Sequence, residues 1–165
     1  MTLDELNALD CEHFVEALGW IFERSPWVAE RACLQRPFSS VDALHHAMVN
    51  IVAQARPEEQ IALLRAHPDL GTRAKTSDAS QEEQAGVGLA SLTPDEFERL
   101  TRLNTQYRDK FGLPFLYAVK GSTKEEIITA MEGRLSESYD AEFEEALRQV
   151  YRIAKFRLDG LCETQ

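Results

Sequence analysis

The chain has 165 residues, 44% of them hydrophobic and 28% charged, with a formal net charge of −10. That is the composition of a globular protein, expected as a single domain over residues 1–165 and long enough to bury about two-thirds of its unfolded surface. The acid excess makes nucleic acid and anionic membranes repulsive partners, so neither is expected, whereas a small anion held by one or two arginines is compatible. Three scattered cysteines, Cys11, Cys33 and Cys162, suggest no disulfide framework and no zinc spacing, which points to a reducing cytoplasm. The opening MTLDELNALD is acidic and unlike a signal peptide, and no apolar run approaches the ~20 residues of a membrane span.

Thr2 and Glu5 form a capping box for a short first helix, and Asp10 caps a second in which Phe14, Leu18 and Ile21 or Phe22 recur at helical spacing. Ser25-Pro26, Arg56-Pro57 and Thr93-Pro94 read as helix starts with proline just inside. Ser40 caps a run from Val41 to Ala55. The helix carrying Ile61, Leu63 and Leu64 must stop at or near His67, because Pro68 disfavours helix in the residue before it. Residues 69–79 are polar and read as a loop. Ser80 then caps a short helix limited by Gly86 and Gly88. A long helix runs from Pro94 to Phe111 and is closed by Gly112. The stretch 112–121 (GLPFLYAVKG) is extended and joins two helices. Thr123 and Glu126 open a helix to about Leu135, and Asp140 caps the last, to about Leu161. No strand alternation is sustained. The fold class is all-α, with about eight or nine helices.

Function is sought where polarity breaks these patterns. His67 follows Leu64 by three residues and Leu63 by four, so it faces inward, where an imidazole at a helix end can carry protons near neutral pH or simply cap carbonyls. Ser80, Glu83, Gln84 and Val87 share one face of their helix, and three of the four are hydrogen-bonding groups. In the last helix the stripe Phe143, Leu147, Val150, Ala154, position 157 and Leu161 places Arg157 among apolar residues. An arginine cannot discharge, so it needs an anion, either a substrate or a structural partner such as Asp69 or Glu83, or it must snorkel out to a rim position. After Gly112, Pro114 leaves main-chain N–H groups that no helix satisfies. Adjacent His45 and His46 point in different directions, and no metal, phosphate-loop, dinucleotide or nucleophile-elbow motif occurs.

Four motifs appear in order: His-Pro-Asp-Leu-Gly at 67–71, Ser-x-x-Glu-Gln with Gly-Leu at 80–89, Asn-x-x-Tyr-x-x-Lys-Phe-Gly-x-Pro-Phe at 104–115, and Arg-Ile-Ala-x-x-Arg-Leu at 152–158. Together they resemble the 2-oxo-4-hydroxy-4-carboxy-5-ureidoimidazoline (OHCU) decarboxylase family across nearly the whole chain; Leu113 departs from a common Phe. The resemblance implies an all-helical, cofactor-free homodimer that takes OHCU to (S)-allantoin in urate degradation. It implies catalysis by His67 with Glu83, and substrate contacts from Pro68, Ser80, Gln84, Arg157 and the backbone of Phe115, Leu116, Tyr117, Ala118 and Val119. Two rival classes stand beside it: a ureide hydrolase with a metal on His67, Asp69 and Glu83, and a helical module whose acidic face docks a basic partner.

Overall fold

Helix signals in the sequence translate directly into capped helices. The computed structural model describes residues 1–71 and 77–162. Among the described residues there are nine α-helices and no strand: α1 (Leu3–Ala8), α2 (Cys11–Leu18), α3 (Trp27–Cys33), α4 (Val41–Ala53), α5 (Pro57–Arg65), α6 (Asp78–Gly86), α7 (Pro94–Phe111), α8 (Lys124–Arg134) and α9 (Tyr139–Cys162). Capping boxes close the starts of α1, α7 and α8 at Thr2, Thr93 and Thr123. Gly112 ends α7 at φ 67°, in the left-handed region that favours glycine.

Several expected boundaries move, each for a local reason. Helix α3 starts at Trp27 with Pro26 as its cap residue, because the Ser25 hydroxyl donates to the Glu23 carbonyl instead of capping. Helix α2 stops at Leu18, yet Ile21 and Phe22 remain buried in the turns that follow. Helix α4 ends at Ala53, two residues early. Ser80 does not cap α6. The Ser77 hydroxyl accepts the Ser80 N–H at 3.2 Å, so the helix begins sooner and Ser80 lies inside its first turn. Asp140 does not cap α9 either: the Ser138 hydroxyl accepts from the Ala141 N–H at 3.2 Å, and Asp140 falls in the first turn. The loop expected at 69–79 lies partly outside the described residues.

The described chain divides into two compact units: Met1–Ala66 with the chain from Tyr151 onward, and His67–Val150. In the first, α3 packs against α2 and α4, and Phe14, Leu18, Phe22, Leu44, Met48, Leu63, Leu64 and Leu158 are buried. Cys11 and Cys33 are joined by a disulfide in this unit, which corrects the expectation of no bridge; the two thiols are 22 residues apart in sequence but meet where α2 begins and α3 ends. The Arg36 guanidinium lies 3.2 Å from Cys33 Sγ and donates to the Leu6 carbonyl at 3.1 Å.

In the second unit α7 packs against α8, and Leu100, Leu103, Tyr107, Phe111, Phe115, Ile127 and Met131 are buried. The buried side of α9 differs from the predicted stripe. Phe143 and Leu161 are half-buried at its edge, while Glu142, Ala146, Gln149 and Leu158 lie inside. No described helix is long and apolar enough to cross a membrane.

Candidate active site

Helix α5 ends where proline chemistry requires. The last helical residue is Arg65, Ala66 caps the C-terminus, and His67 precedes Pro68 with only 6% of its surface exposed. The inward direction read from Leu63 and Leu64 is therefore realised.

Three of the four residues after His67 are held by α6 and α7. Asp69 accepts from Arg108 at 2.6 Å. The Leu70 carbonyl accepts from the Asn104 amide at 2.9 Å, and the Gly71 N–H donates to Gln84 Oε1, also at 2.9 Å. Gly71 has φ 71°, and a β-carbon there would come within 2.4 Å of Leu100 Cδ2. Leu100, Asn104 and Arg108 follow at steps of four along α7, so one face of that helix receives the segment.

The structure thus joins Gln84 to the His67–Gly71 segment. Its Oε1 is occupied, which leaves the Nε2 amide to donate. Ser80 is buried in the first turn of α6, and Glu83 follows one turn later, half-buried. Asp69, a donor in the metal-hydrolase alternative, is engaged by Arg108, and among the described residues no group of three His, Cys, Asp or Glu is placed to hold a metal ion.

The stretch from Phe115 to Val119 is neither helix nor strand and is largely buried, and side chains hold two of its main-chain groups. Arg134 donates to the Leu116 carbonyl at 2.7 Å, and the Ala118 N–H donates to Gln149 Oε1 at 2.9 Å. Two of the main-chain groups expected to be open are thus occupied by the protein. Arg134 also lies 4.4 Å over the Phe115 ring and donates to Glu142 at 2.8 Å, while the Tyr107 hydroxyl donates to the same carboxylate at 2.7 Å. Burial, with the Glu142 carboxylate second, pushes the Tyr107 phenol well above its usual range, so Tyr107 remains a donor.

Arg157 belongs to the first unit and is buried, as its place in the stripe requires. Within that unit it has a structural partner that the sequence did not name: Nη2 donates to Glu23 at 2.9 Å and Nη1 to the Trp20 carbonyl at 3.1 Å. The sequence singles out Asn104 only as the start of its motif, and its apolar patterns do not mark Glu142, Gln149 and the half-buried Arg134 as interior polar groups. Glu142, Ala146 and Gln149 follow at helical steps, a signal one position away from the stripe that was read.

A family model described as OHCU decarboxylase matches residues 7–159. The chain belongs to the OHCU decarboxylase family. It is 51% identical over 158 residues to the 2-oxo-4-hydroxy-4-carboxy-5-ureidoimidazoline decarboxylase of Haloferax volcanii, covering 96% of this chain and 94% of that protein. It is 49% identical over 161 residues to the protein of the same name from Halalkalicoccus jeotgali, covering 98% and 92%. Among solved structures it resembles a crystal structure of (S)-allantoin synthase, with a TM-score of 0.81 and 33% identity, covering 98% of this chain and 54% of that one.

Proposed function

We propose that this family member removes CO2 from OHCU to give (S)-allantoin, with His67 as general acid/base and Glu83 as its partner. The observation that carries the reading is the buried His67 at a proline-stopped helix end, followed by a segment pinned to α6 and α7, within a family of OHCU decarboxylases.

Loss of CO2 leaves an electron pair. In OHCU the departing carboxylate sits on a carbon that bears a hydroxyl, beside a ring C=N. The pair moves into that C=N to give an enaminol, so the substrate supplies its own electron sink. Protonation of the neighbouring carbon from one face then sets the hand of the product. His67 takes the hydroxyl proton or delivers the carbon-bound one, and Glu83 orients it or holds the hydroxyl and ureido groups. Gln84 donates through Nε2 to a ring or ureido carbonyl, and Ser80 serves the same amides. Pro68 and the backbone from Phe115 to Val119 flank the substrate.

Arg157 is assigned to a substrate carbonyl or carboxylate by the family resemblance. Glu23 and the Trp20 carbonyl fix the position of its guanidinium. A strong grip on the leaving carboxylate would stabilise the ground state, so a ring oxygen is the better target. The active form is a cytoplasmic homodimer without a cofactor, to be checked by light scattering and cell fractionation.

The test is incubation with freshly generated OHCU while following the optical activity of the allantoin formed. Enantiopure (S)-allantoin at a rate above the spontaneous one is expected; racemic product at the spontaneous rate overturns the reading. Activity should survive exhaustive chelation; loss restored by zinc or manganese would favour the hydrolase alternative.

A further inference from the structure

We propose that Asn104 is a positioning residue for the decarboxylation, holding the segment that carries His67 through the Leu70 carbonyl; this rests on the assignment of His67 above. Asn104 is 7% exposed, and no residue so far assigned to catalysis lies on α7. Its Nδ2 donates to the Leu70 carbonyl at 2.9 Å. Only the amino end of the amide can face a carbonyl, so the orientation of the group is fixed. Its Oδ1 is buried with no hydrogen-bond partner among the described residues.

A buried amide satisfied at one end only is a poor device for stability. Leucine, of similar shape, would fill the same space beside Leu100 and Leu103 and remove the orphaned Oδ1, but would leave the Leu70 carbonyl without its donor. What leucine lacks is the amide donor that reaches the Leu70 carbonyl. One residue later, Gln84 holds the Gly71 N–H. Consecutive residues are therefore gripped from two helices, through a carbonyl and an N–H, three and four positions after His67. Gly71 adds a left-handed φ of 71° and a close approach to Leu100, both of which a side chain at that position would strain. The pair Arg108–Asp69 lies on the same face but is partly exposed, so it contributes little by comparison. Such a clamp fixes the backbone next to the acid/base group, and small misplacements of that group are costly in turnover.

Two variants of the full chain test this. In Asn104→Leu the melting temperature should fall only slightly, since the lost donor to the Leu70 carbonyl is offset by removal of the orphaned Oδ1, while kcat falls roughly ten- to a hundredfold, the scale of a ~1 Å misplacement, and KM changes little. In Asn104→Asp the carboxyl is buried, so its pKa is raised. When protonated it can donate to the Leu70 carbonyl; when ionised it cannot, and it repels that oxygen. The ratio of Asn104→Asp to wild-type kcat should therefore climb as pH falls, while the Asn104→Leu ratio stays flat. Unchanged kcat in a folded Asn104→Leu, or a flat Asn104→Asp ratio, overturns the proposal alone. A wild-type chain that leaves OHCU untouched overturns the decarboxylase reading and this one with it.

Discussion

His67 and Arg157 are both buried at positions where the helical pattern calls for apolar residues, and they make different demands on a mutant. Histidine can be neutral, so His67→Asn strands no charge. The fold should persist while turnover drops at least about a hundredfold, the lower range for one acid/base group. Near-normal single-turnover decarboxylation by the folded variant would remove His67 from the mechanism. Arg157 cannot be neutral, and Glu23 beside it is almost wholly buried. Replacing only the arginine breaks a buried pair, which costs about 3–5 kcal/mol. Arg157→Met should therefore lower the melting temperature, and weaker ligand binding in that variant would be ambiguous. The informative variant is the double change Glu23→Gln with Arg157→Met, which removes both charges. It should recover most of the stability yet bind allantoin about 1.5–3 kcal/mol more weakly, the range for a charged hydrogen bond, as read by calorimetry. Wild-type affinity in that folded double variant would leave Arg157 as scaffold.

Local signals decide helix ends, and tertiary geometry decides which of two local signals is used. The capping boxes at Thr2, Thr93 and Thr123, the glycine stop at Gly112 and the proline stop before Pro68 were legible because each is complete within a few residues. The start of α6 was not, because Ser77 and Ser80 are both competent caps and only the observed hydrogen bond chooses between them. That choice yields a separable prediction. Ser77→Ala removes the cap and should destabilise α6 by about 1 kcal/mol, seen as faster amide exchange at Ser80. Ser80→Ala leaves the cap intact, so exchange should hardly change while KM for OHCU rises. Equal exchange in the two variants would return the cap to Ser80. The interior contacts were less legible still. Glu23 meets Arg157 across 134 positions, and Tyr107, Arg134 and Glu142 converge from three helices. No periodicity in one helix reports a partner on another, so a buried charge could be read from the sequence but its counter-ion could not.

At the scale of the molecule, the cysteines reverse the expectation drawn from their scatter. Cys11 and Cys33 bridge α2 to α3, and the loop they close contains Trp20, Ile21 and Glu23, the groups that hold Arg157. The chain-entropy account gives a loop of this length about 3 kcal/mol relative to the unfolded state. Cys162 is buried, and burial pushes its thiol above the usual range, so it should react slowly in the native protein. Alkylation of protein prepared without reductant should label no thiol quickly when native, one after denaturation, and three after denaturation with reduction. Reduction should lower stability by about 3 kcal/mol without unfolding the chain, because α3 also packs against α2 and α4. It should also loosen the carbonyl and carboxylate partners of Arg157. If Arg157 binds substrate and His67 is the acid/base group, reduction then raises KM while kcat holds. A stability loss with KM unchanged would confine the bridge to the scaffold, and three labelled thiols in denatured, unreduced protein would show that the bridge does not form.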